Sequence, residues 1–143
     1  DPKKKNFLNY QQVSLFKPNL KELKEGLNIE VKANQPSSLN NALKILHEKI
    51  QPKATLITLS EHGMMLYTPE AQHHVAAHLR NIADVSGAGD TVISVASLCL
   101  ALNQSPQLIA EIANLAGGLV CEKVGVVPIN KALLLKETIK HLA

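Results

Sequence analysis

Asp84-Val85-Ser86-Gly87-Ala88-Gly89-Asp90-Thr91 leads straight into an apolar run from Val92 to Leu102. Gly87, Ala88 and Gly89 are small enough for the backbone to approach a ligand closely. The run behind them reads as a helix to about Leu102. The unpaired N–H groups of a helix's first turn, with the positive end of its dipole, form an anion site. Phosphate is the natural guest, and negative charge developing in phosphoryl transfer would be held best there. Asp90, in that first turn, would point at the same place. A loose transition state needs an oriented hydroxyl more than early proton removal, so Asp90 could hold an acceptor hydroxyl and take its proton late. Taken alone, a Gly-x-Gly is a tight turn about twice as often as a phosphate site, with Asp90 a capping carboxylate. Gly-Lys-Ser/Thr is missing, so this is not a Walker A loop.

Outward from that segment the chain alternates strands and helices. Val13 to Lys17 reads as a short strand closed by Pro18. Asn19 caps a helix through Glu25, stopped by Gly26. Ser37 or Ser38 opens a second helix, in which Leu39, Leu43, Leu46 and Ile50 share one face, and Pro52 ends it. Ala54 to Leu59 is apolar and β-branched, as a buried parallel strand is. Gly63 turns the chain into a second strand, Met64 to Tyr67, and His73 to His78 is a candidate third in an antiparallel ribbon. Ser105-Pro106 opens a helix to about Lys123, Gly125 and Pro128 punctuate, and a last helix runs from Ile129 to Leu142. The pattern predicts an α/β sheet covered on both faces.

Asn19 and Glu22, three apart, share a helix face. Magnesium keeps several waters and binds few protein groups, so an amide and one carboxylate acting through water would suffice. The plainer reading is a helix N-cap with a capping-box glutamate, about three times more common for such a pair.

Taken together these strings resemble one family. Asp84-x-x-Gly87-Ala88-Gly89-Asp90 matches the second signature of the ribokinase-like (PfkB) carbohydrate kinases, and Lys17-Pro18-Asn19-Leu20-Lys21-Glu22 matches their Asn-x-x-Glu element. Leu56 to Gly63 resembles their nucleotide-side strand and turn, and Ala113-Asn114-Leu115-Ala116-Gly117-Gly118 the helix bordering adenine. Within the family, Asp1-Pro2-Lys3, Ser60-Glu61-His62-Gly63-Met64, the segment Asp84 to Ile93, and Cys121-Glu122-Lys123-Val124-Gly125 resemble the kinase domain of the heptose 7-phosphate kinases of lipopolysaccharide sugar synthesis. The kinase half of the bifunctional kinase/adenylyltransferase carries similar strings.

The resemblance implies a three-layer α/β/α fold with a mostly parallel sheet. Residues 1–143 would form the nucleotide-binding, catalytic C-terminal portion of the kinase domain. It implies Asp90 as catalytic base and the Gly87, Ala88 and Gly89 amides as the anion hole. Asn19, Leu20, Lys21 and Glu22 would serve ATP and its Mg2+, the metal reached from Glu22 through water. Thr58, Ser60 and Gly63 would line the ribose or phosphate side, with Asn114 and Gly118 near adenine. Many members carry Gly where Ser60 stands and Thr where Val85 stands. A monovalent cation is common beside the loop in this family. The implied reaction moves the ATP γ-phosphate to the anomeric hydroxyl of heptose 7-phosphate, toward ADP-heptose. Rival readings are another ribokinase-like sugar or nucleoside kinase, or a non-catalytic nucleotide-binding module. The acceptor site and lid belong to the family's N-terminal half. The opening Asp1-Pro2-Lys3, without Met, likewise predicts a piece of a longer polypeptide, with strand edges prone to self-association and a homo-oligomer as one outcome.

Composition agrees and narrows the classes. The chain has 143 residues, 45% hydrophobic but only 3% aromatic and without Trp, so its core must be aliphatic. That length suffices for one domain with a real core. A net charge of +3, with Lys3-Lys4-Lys5 its main local source, offers no nucleic-acid footprint. Val92 to Leu102 is shorter than the roughly 20 residues a membrane span needs. With no signal peptide evident, a cytoplasmic protein with no membrane partner is expected. Cys99 and Cys121 fall in apolar helical stretches, as small buried hydrophobes do in a reducing compartment. His73, His74 and His78 lie in strand or loop, where a spacing of four does not bring ligands together, so zinc is not expected.

Overall fold

The computed structural model describes residues 2–78 and 80–142; Asp1, which opens the Asp1-Pro2-Lys3 string, lies outside them. Two compact units divide the chain, Asp1–Ala76 and Ala77–Ala143.

The first unit is a sheet with its helices. In chain order it holds β1 (Leu15–Phe16), α1 (Leu20–Leu27), α2 (Pro36–Ile50), β2 (Ala54–Thr58), β3 (Met64–Tyr67) and β4 (Gln72–Val75). The strands lie in the order β1-β2-β3-β4. Pairing is parallel between β1 and β2, where Leu15 faces Ala54, and antiparallel between β2 and β3 and between β3 and β4. Among the described residues the sheet is therefore mixed, with the parallel pair and the antiparallel ribbon where the sequence places them. Connection length explains why. β1 and β2 are joined by two helices, long enough for a parallel crossover, whereas β2 returns through a turn at Ser60–His62 and Gly63. So short a link can only reverse the chain. Thr68 N donates to Ala71 O at 2.9 Å and makes the second reversal.

The core of this unit is largely aliphatic, though both phenylalanines, Phe7 and Phe16, are buried in it. Leu39, Leu43, Leu46 and Ile50 of α2 are all buried, together with Leu23 and Leu27 of α1 and Phe16 and Ile57 of the sheet. All four residues of β3 are buried, while β4 alternates exposed and half-buried positions. A polar edge strand of this kind discourages pairing with other chains. Thr55 is fully buried, and its hydroxyl meets His47 Nε2 at 3.0 Å, fastening α2 to β2.

Three helix boundaries differ from expectation. α1 does not stop at Gly26 but runs to Leu27 and closes on Asn28, in the left-handed conformation at φ 55. Gly26 is there for space, because a side chain on it would enter the Phe7 ring. α2 begins with Pro36 at its first turn rather than at Ser37 or Ser38, and ends on left-handed Gln51. The last helix starts at Lys131 instead of Ile129, and Asn130 Oδ1 accepts from Leu133 N at 2.9 Å as its cap.

The second unit contains α3 (Ala88–Ala101), α4 (Pro106–Cys121) and α5 (Lys131–Leu142). Ser105 caps α4 through Leu108 N, with Pro106 in the first turn as expected. α3 and α4 pack through Val92, Val95, Ala96 and Cys99 on one side and Ile109, Ala110, Ala113, Ala116 and Leu119 on the other. Gly117 lets them approach, since a Cβ there would lie 2.8 Å from Val92 Cγ2. Cys99 and Cys121 are free and buried, and burial pushes both thiols upward, Asp84 adding to the rise at Cys121. Among the described residues no helix is long and apolar enough to cross a membrane.

Candidate active site

In the first unit the candidate residues gather where β1 and β2 end. Asn19 Oδ1 accepts from Glu22 N at 2.8 Å, and Asn19 N donates to Glu22 Oε2, also at 2.8 Å. This is a complete capping box, so the plainer reading of the pair is realised in full. It commits one carboxylate oxygen of Glu22 and leaves Oε1 outside the box. Leu20 and Lys21 follow in the first turn; Lys21 is exposed, with Glu25 Oε1 3.9 Å from its Nζ. Thr58 forms a parallel bridge with Asn19, and its N–H donates to Pro18 O at 3.2 Å. The capping box and the end of β2 are thereby neighbours, at the carboxyl ends of two parallel strands where open α/β sheets place ligands.

Beyond Thr58 the backbone takes two left-handed steps. Ser60 has φ 54 and Gly63 φ 83, ψ −134. A β-carbon at Ser60 is strained in that region. The conformation at Gly63 is open essentially to glycine alone. His74 Nε2 lies 2.9 Å from His62 O, so that ring is engaged with the same turn. Among the described residues no group of three or more His, Cys, Asp or Glu could hold a metal ion.

In the second unit Gly87 is the N-cap of α3, at φ 77, ψ −3. A Cβ on it would also meet Val126 Cγ1 at 2.9 Å, so both conformation and space demand glycine. No side chain caps this helix end, and Asp90 stands exposed in its first turn. Ala88 N donates to Val85 O at 3.2 Å, within the loop. The first-turn amides of Gly89 and Asp90 stand beside it. Asn114 is buried in α4, and Gly118 lies half-buried one turn further on.

The residue that shapes the loop is Asp84. Its Oδ1 accepts from Ser86 N at 2.9 Å and Ser86 Oγ at 2.7 Å, and its Oδ2 from Gly125 N at 2.9 Å. The Ser86 bonds, with that from Gly125, hold its carboxyl down at about 2. Ala83 N and Asp84 N both donate to Cys121 O, at 2.8 and 3.2 Å. The loop before α3 is thus tied to the end of α4. Sequence reading placed Asp84 in a signature without seeing this clamp, because its partner lies 41 residues away. It also passed over Arg80, whose guanidinium reaches Glu122 and Glu137.

Residues 1–132 match the pfkB family carbohydrate kinases. The chain belongs to that family. Among pfkB relatives, the bifunctional protein HldE of Desulfatibacillum aliphaticivorans is 40% identical over 135 residues, which is 94% of this chain and 27% of that protein. The bifunctional protein HldE of Campylobacter fetus is 39% identical over 125 residues, 87% of this chain and 27% of the relative. The chain therefore spans about a quarter of the length of these relatives. Phosphofructokinase-2 from Escherichia coli, solved with potassium, superposes with a TM-score of 0.81 at 24% identity, over 91% of this chain and 41% of that one. Arabidopsis thaliana ribokinase, solved with ribose and ATP, superposes at 0.78 and 19% identity, over 91% and 41%. The α/β fold of this pfkB chain is ribokinase-like.

Proposed function

We propose that the protein is an ATP-dependent sugar kinase that phosphorylates heptose 7-phosphate at its anomeric hydroxyl, giving heptose 1,7-bisphosphate for ADP-heptose synthesis. In this reading residues 1–143 are the nucleotide-binding, catalytic C-terminal portion of the kinase domain. The observation that carries it is the helix end at Gly87–Asp90, glycine-built, free of any side-chain cap and with an exposed carboxylate in its first turn. Family membership and likeness to the HldE proteins support the substrate class.

The Gly87 and Gly89 amides supply donors for charge that grows on the transferring phosphoryl group, with the dipole of α3 behind them, and Ala88, whose N–H is given to Val85 O, holds the turn between them. Asp90 orients the attacking hydroxyl and accepts its proton as the bond to phosphorus forms and the bond to the ADP oxygen breaks. Asn19 and Glu22, with Leu20 and Lys21, serve the nucleotide's phosphates, while Thr58, Ser60 and Gly63 serve its ribose side. Asn114 and Gly118 border the base. A carboxylate with one oxygen outside the capping box suits Mg2+, which prefers hard oxygen donors and tolerates contact through water. The metal would neutralise charge on the β- and γ-phosphates. A monovalent cation beside the loop belongs to the same proposal.

Asp90→Asn in the natural protein that carries this chain tests the reading. Binding of ATP, measured by calorimetry, should stay within a few-fold, while kcat falls about 10²–10⁴-fold. Unchanged turnover would remove Asp90 from the chemistry. A panel of heptose 7-phosphate, fructose 6-phosphate and ribose then separates acceptors: preference for either of the latter two replaces the heptose assignment.

A further inference from the structure

Arg80 is mostly withdrawn from solvent, its side chain 11% exposed, yet it has no part in the chemistry proposed above. Its Nη1 donates to Glu122 Oε1 at 2.8 Å, and its Nη2 to Glu137 Oε2 at 3.1 Å. Glu122 is the C-cap of α4, and Glu137 belongs to α5. The stem crosses α4 at Gly118, where a Cβ would come within 3.2 Å of Arg80 Cδ. Burial alone would lower the guanidinium's pKa, but the hydrogen bonds to the two carboxylates raise it overall. A guanidinium fork held by two carboxylates on different helices is a rigid joint, because its donors are fixed in one plane.

From that joint the chain is fastened at intervals to the same end of α4. Arg80 is held at Gly118 and Glu122, and Ala83 and Asp84 at the Cys121 carbonyl. Asp84 is held at Gly125, and Gly87 rests against Val126. The next residues are Ala88, Gly89 and Asp90. The position of the α3 N-terminus is therefore set by a strip of backbone whose upstream anchor is Arg80.

We infer that Arg80, with Glu122 and Glu137, is a positioning residue for the Gly87–Asp90 loop, transmitting the placement of α4 and α5 to the groups that meet the phosphoryl group. The inference rests on the kinase reading for its catalytic consequence but not for its structural one. A displacement near 1 Å of a well-placed group can cost on the order of a hundredfold in rate with little loss of binding. The effect belongs on kcat more than on KM.

Arg80→Met keeps the stem over Gly118 and removes the fork. Two readouts on the natural protein test it. Amide hydrogen exchange should quicken roughly tenfold or more at residues 84–91 relative to β2, as the loop loses its anchor. The kcat should fall about tenfold or more, with KM for ATP within threefold, at a temperature where circular dichroism shows the variant fully folded. Arg80→Lys, which cannot span both carboxylates, should recover only part of each. If Arg80→Met does not fold, Glu137→Leu severs one arm and should give smaller changes of the same kind. Unchanged exchange at 84–91 overturns the inference, as does a kcat loss that merely follows the unfolded fraction. Faster exchange without a kcat change, in a protein whose Asp90→Asn variant is inactive, overturns the catalytic part. Faster exchange where Asp90→Asn keeps full turnover supports the anchor and counts against the kinase reading alone.

Discussion

At the scale of single residues, Asp84 and Gly87 set the loop in different ways. Asp84 accepts three hydrogen bonds, and its carboxyl is held at about 2, below the roughly 3.9 of an unfolded chain. A lowered folded-state value stabilises the protein above the unfolded value, and the benefit is lost as pH falls through the folded one. Asp84→Asn should therefore lower the denaturation midpoint by a constant amount above about pH 5, with the gap closing between about pH 4 and 2. A gap independent of pH down to 2 would contradict this. Gly87→Ala meets both a φ of 77 and the Val126 methyl. It should cost about 1–2 kcal/mol in urea unfolding, with weaker ATP binding. The glycine at 87 was legible from its neighbours in sequence; its contact with Val126 was not, because nothing local links them.

At the scale of elements, the helix starts at Asn19 and Ser105 were read correctly, while those of α2 and α5 lie one or two residues from where the sequence put them. Asn19 and Ser105 act as caps because the bonds they make are local. The ends of α1 and α2 fall on Asn28 and Gln51, both left-handed. Gln51, at φ 49, is the weaker choice. A non-glycine there costs about 1–2 kcal/mol, against about 0.4–1 for the extra freedom glycine has when unfolded. Gln51→Gly should thus raise stability by up to about 1 kcal/mol, measurable as a higher melting temperature. A lower one would mean the Gln51 side chain matters more than its backbone. The directions within the sheet were legible too: the long link before β2 and the tight turn at Gly63 mark a parallel pair followed by an antiparallel ribbon.

At the scale of the molecule, the first unit depends on one aliphatic cluster. Leu46, fully buried within it, is a direct probe. Leu46→Ala should lose about 2–5 kcal/mol by denaturant unfolding, with the spread set by how far the cavity collapses. A loss under 1 kcal/mol would mean that α2 is less essential to the core than its burial indicates.

Local chemistry determined the helix-initiating loop at Gly87–Asp90, the capping box at Asn19–Glu22, the buried face of α2 and the family itself. Each depends on residues a few positions apart, whose spacing maps directly onto backbone geometry. Tertiary structure alone decided that Asp84 is clamped by Gly125 and that Arg80 joins two helices it does not belong to. Those contacts join residues some forty or more positions apart, and no periodicity in a sequence encodes which distant partners chain reversal will bring together.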